Sequence, residues 1–239
     1  MNGPDHTESM RRVALAHAGL VVPEAFVLAF DTSSFHPGDF ALHGIARPEV
    51  IRRSVSKRQS EYLAGRRAAL AALHSVGSDA TDLPIGMDRA PRWPATYIGS
   101  VSHTDDIAVA TALPAEAGYT GIGLDVEREI GDDVLGSVRE LVIDAVEEER
   151  LAPLAEVHGW AIAMAVAFSA KESFYKATAA TVGRFFDFDA LRIVNAPPGA
   201  DHLEAEVVAT LAGGIVAGRR FTLPWMCLDE RTVLTSCAW

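Results

Sequence analysis

The chain has 239 residues, enough for one large domain or two small packed ones, and its 49% hydrophobic and 22% charged content is globular. A formal net charge of −11 argues against generic binding to nucleic acid or anionic membranes, since both need accumulated positive charge. No run of about 18 apolar residues offers a membrane helix, and residues 1–19 carry Asp5, Glu8 and two arginines without the apolar stretch of a secretory signal.

From Pro48 to His74 the sequence PEVIRRSVSKRQSEYLAGRRAALAALH predicts one long helix or two abutting ones. Val50, Val55, Tyr62, Leu63, Leu70 and Leu73 supply its apolar positions, and Gly65 marks a close approach or a kink. Residues 77–94 are rich in Gly, Pro and Asp and read as a loop suited to gripping a ligand. The run Gly99-Ser100-Val101-Ser102-His103 reads as a small-residue loop just ahead of a strand. Its amides and imidazole could approach a diphosphate, although a loop histidine is as readily solvated or locally bonded.

Residues 107–113 and 119–127 read as strands, and the intervening PAEAG suits a hairpin. Segments 137–151 and 160–180 read as helices, the second buried over Trp160 to Ala170. Strands follow at 191–194, 203–210, 219–228 and 231–238, with Pro224 placing its strand at an edge or bulge. Helices and strands mix without regular βαβ alternation, so the expected class is α+β. Cys227 and Cys237 form neither a disulfide framework nor a metal-ligand spacing, and are expected as reduced thiols of a cytoplasmic protein.

Chemistry concentrates in two segments. In Gly121-Ile122-Gly123-Leu124-Asp125-Val126-Glu127, period-two geometry sends Ile122, Leu124 and Val126 to one face, and both glycines, Asp125 and Glu127 to the other. Two carboxylates so placed can share a hard cation, and the glycines leave room for a bulky ligand. A bare D-x-E is also an ordinary edge strand with its acids in water. In WAIAMAVAFSAKESFYKAT (160–178), i,i+4 spacing puts Met164, Phe168, Glu172 and Lys176 on one stripe, so Glu172 continues an apolar face. A carboxylate there calls for a partner or a metal, though Glu172 and Lys176 also fit a plain surface pair. Lys171 and Lys176 bracket Glu172 with charge suited to phosphate oxygens.

The order RAPRWPATYIGSVSH (89–103), GIGLDVE (121–127), FSAKESFYKA (168–177), with KRQSEYLAGRRAAL (57–70) upstream, closely resembles phosphopantetheinyl transferases of the enterobactin and surfactin-synthetase-activating type. The resemblance spans roughly residues 50 to 180. It implies two similar α/β halves with pseudo-twofold symmetry and the coenzyme between them, here 1–116 and 117–239, the boundary lying near Pro114 to Gly118. It implies Mg²⁺ held by Asp125, Glu127 and Glu172, and His103 on the diphosphate with Ser102 beside it. Lys171 and Lys176 are implied on phosphates or on transition-state charge, with Tyr175 between them as a coenzyme contact. Arg58, Arg66 and Arg89 are implied around the adenosine 3′-phosphate and the adenine.

The implied reaction is attack by a serine of an apo acyl, peptidyl or aryl carrier protein on the β-phosphate of coenzyme A, releasing 3′,5′-ADP. Glu172, or Glu127 through a water, would take the serine proton. A monomer would suffice, the motif style leans towards siderophore or other secondary metabolism, and residues 128–160 are expected to form part of a carrier-docking patch. The rival readings are a metal-dependent phosphoesterase, which leaves Arg58 and Arg66 without a task, and a non-catalytic module binding coenzyme A or a carrier protein.

Overall fold

The computed structural model describes residues 10–15, 24–86 and 90–239. Most of the N-terminal stretch 1–19 and Arg89 lie outside the described residues. The chain divides into two compact units, Met1–Ala14 with Pro23–Pro114, and Leu15–Val22 with Ala115–Trp239.

In the first unit β1 (Met10–Val13), β2 (Ala25–Ala29), β3 (Tyr97–His103) and β4 (Ile107–Pro114) pair antiparallel in the order β1-β2-β4-β3. The apolar run IAVATAL makes β4 interior: Ala110 pairs with Phe26 on one side and Val101 on the other. Two one-turn helices, α1 (Asp39–Leu42) and α2 (Glu49–Arg52), precede the long α3 (Ser56–Ser75). Ala64, Ala68, Ala69 and Ala72 of α3 pack into one core with Phe26, Leu28, Ala108 and Ala110. Small residues on both surfaces allow the helix to lie close to the sheet. At Gly65 a Cβ would already stand 3.2 Å from Val101 Cγ1, so this glycine serves a close approach.

Of the two expectations for Pro48–His74 the structure has the second, two helices, broken at Val55, whose backbone is extended. Val50, on α2, and Val55, at the break itself, are exposed instead of supplying core, because the single turn of α2 buries only Ile51. The segment 99–103 is not a loop. It is paired throughout with β4, from Gly99↔Ala112 to His103↔Ala108. Its small residues are packing requirements: a Cβ at Gly99 would fall 2.5 Å from Trp93 Cη2 and 2.6 Å from the Thr111 carbonyl oxygen.

In the second unit β5 (Ile122–Arg128), β6 (Leu191–Asn195), β7 (His202–Val207), β8 (Arg220–Cys227) and β9 (Thr232–Ala238) form an antiparallel sheet ordered β5-β9-β8-β7-β6. The expected hairpin across PAEAG is therefore absent: both sides of β4 are taken by β2 and β3, and β5 pairs with β9. Pro224 is likewise not on an edge strand. The β7 ladder ends at His202↔Pro224 and the β9 ladder begins at Trp225↔Thr235, so the missing N–H falls where pairing changes sides.

The predicted helix 137–151 is broken into α4 (Asp132–Val142) and α5 (Ala145–His158). Asp144 ends the first option and starts the second, because its side chain accepts the Val146 and Glu147 amides while Glu147 accepts the Asp144 amide. The long α6 (Trp160–Val182) is buried along most of its length, and Phe174 packs on Phe186 and Phe221. Among the described residues no helix is long and apolar enough to cross a membrane. Both cysteines are free, Cys227 exposed and Cys237 buried.

Candidate active site

The acids come together because β5 and α6 touch backbone to backbone. A Cβ at Gly123 would lie 1.8 Å from the Ser173 carbonyl oxygen, and one at Gly121 would lie 2.0 Å from that of Ala177. The two glycines thus admit a helix, not the bulky ligand expected of them. Farther along the same face of β5 the helix brings Glu172 and Lys176 to Asp125 and Glu127. Asp125 is buried, and its Oδ1 lies 2.5 Å from Lys176 Nζ.

Burial, then the charge of Asp125, with Glu172 adding, pushes Glu127 up to about 8 against the pull of Lys176. Burial and then Asp125 raise Glu172 as well. Three carboxylates are thus crowded in a poorly solvated place with one ammonium close by. Among the described residues no three His, Cys, Asp or Glu side chains already converge as a metal cage. The donor set nevertheless fits a hard divalent cation: it offers only carboxylate oxygens, and their mutual repulsion is relieved by positive charge.

Lys171 does not join them. One residue along α6 turns the side chain by about 100°, which carries the Lys171 ammonium away from the acids and into the protein towards Glu147. Lys171 Nζ lies 2.7 Å from Glu147 Oε1 and donates to the carbonyls of Val142 at 2.7 Å and Phe188 at 3.1 Å. An ammonium has three N–H donors, and all three are used inside the protein. Burial lowers the Lys171 pKa, while Glu147 works against that shift. Lys171 as placed is a buried cation paired with Glu147, and together with Glu172 it borders the adjoining cavity.

Beside Glu172 opens a cavity of about 280 Å³ lined by Tyr175, Phe174, Phe185, Phe186 and Phe188. The ring of Tyr175 lies 4.9 Å from that of Phe186 and 6.0 Å from that of Phe185. This aromatic wall was missed in the sequence; its signal is the run Phe185-Phe186-Asp187-Phe188 directly after α6.

The first unit has its own cleft of about 460 Å³, lined by Arg58, Glu61, Tyr62, Arg66, Val101 and His103. Arg58 Nη1 lies 3.0 Å from His103 Nε2. A guanidinium only donates, so in this contact Nε2 is the acceptor, and Glu61 Oε2 lies 3.9 Å from the same nitrogen. Arg66 is buried with its guanidinium 4.4 Å from the centre of the Tyr62 ring, and burial holds its pKa below the ordinary arginine value. Its Nε finds no acceptor. Ser102 alternates with His103 along β3, so it is buried on the opposite side of the strand and does not line this cleft.

Residues 46–113 match a family model described as the 4′-phosphopantetheinyl transferase N-terminal domain, and residues 121–215 match one described as the 4′-phosphopantetheinyl transferase superfamily. Enterobactin synthase component D of Salmonella typhi is 32% identical over 199 residues, covering 83% of this chain and 79% of that protein. Its counterpart in Escherichia coli K12 is 36% identical over 151 residues, 62% of this chain and 68% of that one. The 4′-phosphopantetheinyl transferase Svp of Streptomyces mobaraensis is 34% identical over 175 residues, 71% and 67% of the two chains.

Proposed function

The chain belongs to the 4′-phosphopantetheinyl transferase superfamily, and from that premise we propose that it moves the phosphopantetheine arm of coenzyme A onto a serine of an apo carrier protein. The carriers would be acyl, peptidyl or aryl carrier proteins of siderophore or nonribosomal peptide synthesis, in keeping with the names of its relatives. The observation that carries the reading is the buried cluster of Asp125, Glu127 and Glu172, in which burial first and the neighbouring negative charges second push Glu127 up to about 8.

Those three carboxylates are the proposed holders of Mg²⁺, which when bound would neutralise diphosphate charge and leave 3′,5′-ADP a better leaving group. The chain's own residues supply the rest. Lys176, already beside Asp125, is assigned a phosphate oxygen. Glu172, or Glu127 through a water, accepts the serine proton, and carboxylates with raised pKa values are the stronger bases once ionised. The aromatic cleft with Tyr175 suits the uncharged pantetheine arm and keeps water from it.

Arg66, a buried cation whose Nε lacks an acceptor, is assigned the adenosine 3′-phosphate, with Arg58 nearby in the same cleft. His103, beside Arg58 in the same cleft, is assigned a diphosphate oxygen. The division of labour between the two units, 1–116 for the nucleotide and 117–239 for metal and transfer, belongs to the same proposal. So does their likeness as halves, supported by one long helix, α3 or α6, on an antiparallel sheet in each. A monomer acting in the cytosol completes it, in keeping with two free cysteines.

The test incubates an apo peptidyl or aryl carrier protein with coenzyme A and Mg²⁺ and weighs the carrier by mass spectrometry, with EDTA as control. A gain of one phosphopantetheine that EDTA abolishes is expected. No gain across several carriers, together with release of phosphate from simple phosphodiesters, would replace this reading with a metal-dependent hydrolase.

A further inference from the structure

Resting on the transferase reading above, we propose that Glu147 is a positioning residue for the coenzyme cleft: it anchors Lys171, and the two together hold the Phe188 segment of the aromatic wall beside Glu172. Glu147 is buried at 4% exposure, and each of its oxygens is engaged. Oε1 meets Lys171 Nζ at 2.7 Å and accepts the Ile193 amide at 2.8 Å, while Oε2 accepts the Asp144 amide at 3.0 Å. One carboxylate therefore joins the start of α5, the middle of α6 and strand β6. Through the ammonium the join extends to the end of α4, at the Val142 carbonyl, and to the Phe188 carbonyl.

Phe188 is where this network meets the cleft. Its carbonyl is fixed by Lys171, and its ring lies 5.4 Å from that of Phe168, one turn of α6 before Glu172. Without Glu147 the ammonium of Lys171 would be buried without a counter-charge. Lys171 would then have to turn out, dragging the Phe188 carbonyl and the wall with it. A shift of about 1 Å beside a reacting group costs up to about 100-fold in rate. Lys171 and Glu172 are sequence neighbours with separate tasks: Glu172 faces the acids, and Lys171 keeps the wall behind them in register.

The chain contains three lysines, Lys57, Lys171 and Lys176, so an amine-acylation map resolves each one. The wild-type protein is treated with a water-soluble acetylating ester, with and without coenzyme A, and the acetylated sites are read by tandem mass spectrometry. Lys57 is expected to label freely and Lys171 to stay unlabelled in both samples. Labelling of Lys171 in the free protein with protection by coenzyme A would overturn the proposal, because it would make Lys171 a phosphate ligand.

The kinetic arm uses Glu147→Gln, Lys171→Met and the double variant, each checked for folding by circular dichroism. Glu147→Gln is expected to raise KM for coenzyme A on the order of tenfold, with inhibition by 3′,5′-ADP unchanged because that product lacks the arm. The double variant should recover part of what Lys171→Met loses, since both charges leave together. Weaker 3′,5′-ADP inhibition in Lys171→Met, with no recovery in the double variant, would overturn the proposal. A wild-type protein that transfers nothing defeats the transferase reading alone; the labelling map still decides whether Glu147 holds Lys171.

Discussion

Lys176 Nζ lies 2.5 Å from Asp125 Oδ1, setting one positive charge against three clustered carboxylates. Removing Asp125 therefore removes repulsion along with a proposed metal ligand. In Asp125→Ala the lysine, whose side chain is 26% exposed, can turn to water, and Glu127 and Glu172 lose a neighbouring negative charge. The thermal midpoint of the metal-free variant is expected to fall by no more than about 4 °C. Its transfer rate is expected to drop by about 10²–10³-fold, the usual cost of one preorganised electrostatic group. Scanning fluorimetry and the carrier mass shift check both; unfolding together with loss of activity would make Asp125 a structural residue.

Gly123 is where the site depends on backbone contact. A methyl there meets the Ser173 carbonyl oxygen at 1.8 Å and the Ala177 nitrogen at 2.8 Å, both main-chain atoms that no rotamer change can move. Gly123→Ala should lose about 1–3 kcal/mol or more by forcing α6 off β5. Gly136, inside α4 with nothing within 4 Å of its would-be Cβ, is the control. Gly136→Ala should gain about 0.5–1 kcal/mol from helix propensity. Urea unfolding of both variants measures the contrast, and a Gly123→Ala protein as stable as wild type would contradict the β5–α6 contact.

What the sequence made legible was local. Alternation along β5 and the helical stripe through Glu172 and Lys176 nominated the acids and a lysine that the structure brings together. The four C-terminal strands were readable from their own patterning. What stayed hidden depended on distant partners. Nothing within Tyr119–Glu127 says that Thr232–Ala238 is its neighbour and Ile107–Pro114 is not. Nothing near Lys171 says that its counter-charge sits 24 positions earlier at Glu147. Gly99, Ser100 and Ser102 read as a loop because intrinsic preference disfavours them in strands; packing against Trp93 and pairing with β4 decided otherwise.

Asp144 separates two helices that composition alone would have fused. Its Oδ1 accepts the Val146 and Glu147 amides at 2.9 Å each, and Arg192 Nε donates to Oδ2 at 3.1 Å. The Glu147 amide, with help from Arg192, holds its carboxyl below the usual aspartate range. A depressed folded value means that the contribution is complete above the ordinary aspartate pKa of about 3.9 and is lost as pH falls through the folded value. Asp144→Ala should cost about 1 kcal/mol at pH 7. The variant should approach wild-type stability as the acid is titrated below that window. Urea midpoints measured from pH 7 down to the acid limit give the comparison; a constant gap across the range would mean that ionisation of Asp144 contributes nothing.

Arg66 offers the sharpest chemical contrast, because its proposed ligand can be deleted from the substrate. The guanidinium is buried over Tyr62 and its Nε has no acceptor, so the protein bears the cost of a buried cation without fully satisfying it. If the adenosine 3′-phosphate is its partner, Arg66→Ala should raise KM for coenzyme A by about 30-fold, the low end for truncating a buried charge pair. Arg66→Lys should recover only part, since an ammonium cannot offer the planar fork. With 3′-dephospho-coenzyme A the wild type and Arg66→Ala should differ by less than about threefold, there being no phosphate to lose. A role confined to packing against Tyr62 would raise both KM values alike, so steady-state kinetics with the two coenzymes separate recognition of the 3′-phosphate from support of α3.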